Sequence, residues 1–93
     1  MSSANRLLIL DDDPGVLHFL AEVGRLCRYE VALTGSTAEL RAVYDTFDPS
    51  VILLDLRYDH GDAIEVMSYL KQHRCRVPIV LMSGLDERIL DAA

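Results

Sequence analysis

Three apolar runs of this 93-residue chain stop at groups able to handle a metal ion or a phosphate. Residues 7–10 run into Asp11-Asp12, residues 51–54 into Asp55, and residues 77–82 into Ser83-Gly84. Read singly, each acid is an ordinary turn residue, and Asp55 does no more than start a loop. Read as strand ends along one edge of a parallel sheet, they converge although distant in sequence. Three carboxylates at one edge repel each other, and a hard divalent cation resolves that conflict. Mg²⁺, or Mn²⁺ in its place, suits such an oxygen-only donor set. Zinc does not suit it, because no His or Cys stands at any of these ends. Beside a cation, an aspartate is also a nucleophile toward a phosphoryl group. The Ser83 hydroxyl and nearby backbone N–H groups would then hydrogen-bond the phosphoryl oxygens, with Gly84 leaving room for them.

That convergence needs a parallel sheet, and the patterning of the chain predicts one. The uninterrupted run at 51–55 suits a strand covered on both faces, and its carboxyl end lies at the edge where open α/β sheets bind ligands. Residues 7–10 form the first strand. Asp13 caps the next helix, with Pro14 at its first position. Val16, Leu17, Phe19, Leu20, Val23 and Cys27 give an amphipathic helix over about 14–27. Residues 29–33 make a weaker edge strand. Ser36 and Glu39 have capping-box spacing and open a helix carrying Leu40, Val43, Tyr44 and Phe47, which Asp48-Pro49 ends. Asp62 starts a third helix, packed through Ile64, Met67 and Leu70 and ending near His73. Residues 77–82 are the fourth strand, and a last helix begins near Asp86. The order β-α-β-α-β-α-β-(α) predicts an α/β, three-layer, doubly wound sheet with right-handed crossovers.

The bulk properties agree with one small domain spanning 1–93. About half of the residues are apolar and the net charge is −6, which argues against direct nucleic-acid binding. Cys27 and Cys75 share no metal or redox spacing and read as reduced, buried or half-buried thiols of a cytoplasmic protein. Neither a signal peptide nor a membrane-length apolar run is present in the sequence. His18, His60 and His73 are isolated, and none reads as a phosphate donor.

On Leu7-Leu-Ile-Leu-Asp-Asp-Asp-Pro14, Val51-Ile-Leu-Leu-Asp-Leu56 and Val77-Pro-Ile-Val-Leu-Met-Ser-Gly84, the chain resembles the receiver domain of two-component response regulators. The resemblance covers essentially the whole chain and implies the flavodoxin-like (chemotaxis-protein-like) fold. It implies Asp55 as phosphoacceptor, and Mg²⁺ held by Asp12 with Asp11, Asp55 and the backbone carbonyl of Arg57. It implies that the Ser83 hydroxyl follows the phosphoryl group, and that a histidine kinase or phosphotransfer protein supplies it. An output domain or partner outside this chain would read the result. Asp59 and Ala63 depart from the family's usual Pro and Gly, which adds negative charge to the loop after Asp55. The family's lysine and aromatic switch residue belong to a fifth strand, and the chain stops before it. The expectation is therefore a piece of a longer regulator or, if whole, a homodimer through the exposed 77–82 sheet edge.

Two other readings fit part of the pattern. A phosphatase of the haloacid-dehalogenase type also uses an aspartate after an apolar strand, and Asp11-x-Asp13 fits its first motif. Gly15 and the short chain do not. A receiver-like interaction module without regulated phosphorylation would fit the missing lysine, but not the intact acids and Ser83.

Overall fold

The computed structural model describes residues 5–55 and 62–82. In chain order the elements are β1 (Arg6–Leu10), α1 (Pro14–Leu26), β2 (Glu30–Thr34), α2 (Thr37–Phe47), β3 (Val51–Asp55), α3 (Asp62–Gln72) and β4 (Ile79–Met82). The strands form one parallel sheet in the order β2-β1-β3-β4. This is the doubly wound α/β arrangement that the patterning predicts, and the flavodoxin-like fold that the resemblance implies. The expected helix near Asp86 lies outside the described residues.

Strand parity divides the core in two. Leu8, Leu10, Ile52 and Leu54 point to one face and are sealed beneath Leu40 of α2 and Val66 and Leu70 of α3. Each burial of that kind contributes about 1.5–3 kcal/mol before entropy is counted. Leu7 and Ile9 point to the other face, which α1 covers. With neighbours on both edges and helices on both faces, β1 has buried residues from Leu7 through Leu10. That explains why its sequence shows no polar alternation.

The caps follow the sequence closely. Asp13 Oδ1 accepts from the Gly15 and Val16 backbone N–H groups at 2.8 and 3.4 Å. At α2, Ser36 Oγ accepts from Glu39 N at 3.1 Å, while Glu39 Oε1 reaches one residue beyond the cap to Gly35 N at 2.7 Å. Both α1 and α3 end in Schellman motifs. Arg28 N donates to Arg25 O and Tyr29 N to Gly24 O; Arg74 N donates to Lys71 O and Cys75 N to Leu70 O. The left-handed residue is an arginine each time, Arg28 at φ 70° and Arg74 at φ 56°.

Several expected details differ. Helix α1 forms as expected but packs through Ala21 and Gly24, with Leu17 and Leu20 half-buried. Val16, Phe19 and Val23 stay exposed. The reason is distance: a Cβ on Gly24 would lie 2.9 Å from Val31 Cγ2 and 3.1 Å from Leu7 Cδ2. At Gly24 the helix sits so close to the sheet that no side chain fits there. In α3 the packed face is Val66 and Leu70, and Ile64 and Met67 are exposed. Cys27 is exposed rather than buried, because it caps α1 beyond the sheet's cover; Cys75 is half-buried as expected. Strand β4 begins two residues late, at Ile79. Pro78 has no N–H to give, although its carbonyl accepts from Ile52 N at 3.0 Å.

At the amino end of the sheet, Arg6 ties three segments together. Its guanidinium lies 3.7 Å from Glu30 and 3.4 Å from Asp48, and its Nε donates to the Asp48 carbonyl at 2.9 Å. Its backbone exchanges bonds with Ser50, so the start of β1 is fixed against both neighbouring connections.

Candidate metal centre

Register builds the site. Leu10 of β1 pairs with Leu54 of β3, so one further step on each strand sets Asp11 beside Asp55 at the carboxyl edge. Asp12 follows directly. One carboxylate oxygen from each of Asp11, Asp12 and Asp55 lies within 4.8 Å of the others. Asp11 and Asp55 are 5% and 7% exposed, whereas Asp12 is open to solvent. Two candidate ligands are thus fixed at the sheet edge, and the third faces the water from which an ion would arrive.

Asp11 is held at both ends. Its backbone N–H donates to Thr34 O at 3.1 Å, and its Oδ1 accepts from Asp13 N at 2.9 Å. Burial pushes the Asp11 carboxyl above the usual carboxylate range. The Asp13 N–H works against that rise, and the charges of Asp55, Asp12 and Asp13 add to it. A group so placed gains from a nearby cation. The donor set is all oxygen, clustered and strongly negative, which fits a hard divalent ion keeping part of its water shell.

The structure brings together Asp11, Asp12 and Asp55 of the residues singled out from the sequence. Arg57, Ser83 and Gly84 lie outside the described residues, as does His60. Asp13 acts as the helix cap it was expected to be. Thr34 is a supporting residue that the sequence reading did not single out. It is buried, its hydroxyl donates to Ile9 O at 2.7 Å, and its carbonyl holds Asp11 N. A lone polar residue closing an edge strand was the available signal.

Comparison with known proteins gives a consistent picture. Residues 7–92 match the family described as the response regulator receiver domain. The regulatory protein AtoC of Escherichia coli (strain K12) is 28% identical over 87 residues, which is 94% of this chain and 19% of that protein. The transcriptional regulatory protein KdpE of Staphylococcus aureus is 29% identical over 83 residues, 89% of this chain and 36% of that protein. The chain thus spans well under half of these curated relatives. Among solved structures, a response regulator receiver domain from Bermanella marisrubri superposes with a TM-score of 0.80 at 25% identity, covering 96% of this chain and 76% of that one. The receiver domain of the TMAO respiratory system response regulator TorR gives 0.78 at 27% identity, over 91% of this chain and 70% of that one.

Proposed function

The chain belongs to the response regulator receiver domain family, and we propose that within it Asp55 accepts a phosphoryl group with the help of a divalent cation. One observation carries this reading. A buried carboxylate at the end of the inner strand β3 stands within 4.8 Å of two others, in a pattern that a folded chain tolerates best around a cation.

Asp11, Asp12 and Asp55 would hold Mg²⁺ or Mn²⁺, with the Arg57 carbonyl as a further ligand. The bound ion supplies positive charge that offsets the charge of the phosphoryl oxygens. The chain's own residues do the rest. Asp55, fixed in register against Leu54's partner strand, presents a carboxylate oxygen to the phosphorus of a phosphohistidine. The P–N bond breaks with its electron pair left on the imidazole nitrogen, which takes a proton, and a P–O bond forms to Asp55. Asp11 is kept in place by Thr34 and Asp13, so the nucleophile's neighbour does not swing into the attack path. Ser83 would donate its hydroxyl to a phosphoryl oxygen.

The donor is a histidine kinase or phosphotransfer protein, and the readout belongs to an output domain or partner outside this chain. Phosphorylation adds about −1.5 to −2 of charge at the sheet edge and biases the adjoining loops. The chain itself acts as a signalling module. No described helix is long and apolar enough to cross a membrane, and the cytoplasm is the compartment this role implies.

Intact mass after incubation with acetyl phosphate, with and without Mg²⁺, tests the proposal. One Mg²⁺-dependent phosphoryl adduct is expected, absent from Asp55→Asn. Absence of any adduct on folded protein, or an adduct that persists in Asp55→Asn, overturns it.

A further inference from the structure

The peptide unit between Thr34 and Gly35 is gripped at three points, and the backbone of Asp11 depends on it. Asp11 lies one residue past β1, beyond the last pairing of that strand with β3, Leu10 with Leu54. Its N–H donates to the Thr34 carbonyl at 3.1 Å. The N–H of the same peptide unit, on Gly35, donates to Glu39 Oε1 at 2.7 Å. A peptide is planar, so the bond to Glu39 sets the direction in which the Thr34 carbonyl points. The third grip is the Thr34 hydroxyl, which donates to Ile9 O at 2.7 Å from a residue only 2% exposed. Ile9 and Asp11 are two residues apart and turn their main-chain groups toward the same neighbour, β2. One threonine thus holds two successive groups at the end of β1.

We infer that Thr34 is a positioning residue of the metal centre: its hydroxyl fastens the end of β2 to β1, so that Asp11 stays beside Asp55 for a divalent cation. This role rests on the cation site proposed above, and it adds what keeps that site assembled before a cation binds.

Electrostatics make the hold necessary. Asp11 faces the charges of Asp55, Asp12 and Asp13, and all three disfavour its ionised form where it stands. Past the end of β1, a loosened residue 11 would turn its carboxylate out to water, where those charges are screened. Each such excursion scatters the three donors, and the apparent affinity for a cation falls with the fraction of molecules in which they are apart. Thr34 opposes the excursion from a buried position, where water does not compete for its bond. The help is needed because β2 is an edge strand, with β1 as its one neighbour among the described residues. Asp13 N–H holds the Asp11 side chain, whereas Thr34 holds the Asp11 backbone, so neither contact replaces the other.

The hydroxyl can be removed with little change of shape. Thr34→Val keeps the branch at Cβ and loses the donor, and Thr34→Ser keeps the donor and loses the methyl. The two variants therefore separate hydrogen bonding from packing at this position.

Mn²⁺ binding to the chain, read from the electron paramagnetic resonance of the free ion, is the test, beside urea unfolding in EDTA. Thr34→Val should weaken Mn²⁺ binding by about three- to tenfold, the equivalent of one buried hydrogen bond. Thr34→Ser should stay within about twofold of wild type. Phe47→Ala, packed against the same core but next to Asp48 at the opposite edge of the sheet, should lose stability in urea and keep its Mn²⁺ affinity. In EDTA, the Asp11 amide should exchange with solvent faster in Thr34→Val than in Thr34→Ser, relative to the Leu54 amide of each variant. Equal Mn²⁺ affinity in Thr34→Val and wild type overturns the positioning role and leaves the cation site standing. So does an equal loss of affinity in Thr34→Val and Phe47→Ala, which would make Thr34 a contributor to stability alone. Folded wild type that binds no Mn²⁺ overturns the cation site itself, and the role of Thr34 with it.

Discussion

Replacing Asp11 by Asn should stabilise the metal-free protein while removing its response to Mg²⁺. The amide keeps an oxygen to accept from Asp13 N–H, so the substitution removes charge and little else. Two unit charges at the 4.8 Å limit of the cluster repel by roughly 3 kcal/mol at an effective dielectric of about 20. Solvent at Asp12 and the favourable Asp13 N–H reduce that, so a gain of about 1–3 kcal/mol is expected at neutral pH. The sign of the pH dependence follows from the raised Asp11 carboxyl. Between the unfolded value of 3.8 and the higher folded one, the native state binds more protons than the unfolded chain. Stability from this group is therefore greatest in acid and is lost as pH rises through the folded pKa. The difference between Asp11→Asn and wild type should be near zero below pH 3.8, grow across that window, and then level off. Urea unfolding in EDTA at several pH values measures it. Millimolar Mg²⁺ should close the gap by stabilising the wild type alone. A variant less stable than wild type at neutral pH in EDTA, or a difference that ignores pH, would refute the electrostatic account.

Further outcomes are expected elsewhere. Leu54→Ala, at a fully buried position between α2, α3 and the sheet, should cost about 2–5 kcal/mol in urea unfolding. Arg28→Gly should stabilise the protein by about 0.5–1 kcal/mol, because the Schellman position at φ 70° strains any residue with a Cβ; a rise in thermal midpoint checks it.

Strand positions and site acids were legible because the chemistry lies in short contiguous patterns. An apolar run that stops at a carboxylate identifies both a buried strand and its ligand-facing end, as at Leu54-Asp55 and Leu10-Asp11. Cap residues were legible for the same reason, since Asp13 and Ser36 act within three residues of themselves. Helix faces were not. Hydrophobicity assigned Val16, Phe19 and Val23 to the core, but the approach of α1 to Leu7 and Val31 is decided by side-chain size, which favours Ala21 and Gly24. In α3 hydrophobicity assigned Ile64 and Met67 to the packed face beside Leu70, whereas the buried residue is Val66, two positions and about 200° around the helix from Ile64. The Arg6 connections to Glu30 and Asp48 span separations that no local pattern encodes. Nor does an arginine announce a left-handed backbone, as at Arg28 and Arg74.

Arg6 also has a consequence at the far end of the molecule. By offsetting one of the two negative charges of Glu30 and Asp48 at the amino edge of the sheet, it leaves the opposite edge, with Asp11, Asp12 and Asp55, as the stronger focus of negative potential in a chain of net charge −6. The strands therefore run along a gradient, and an approaching cation or basic surface experiences a torque as well as an attraction. Encounters begin already turned toward the acids, at a rate that falls as ionic strength rises.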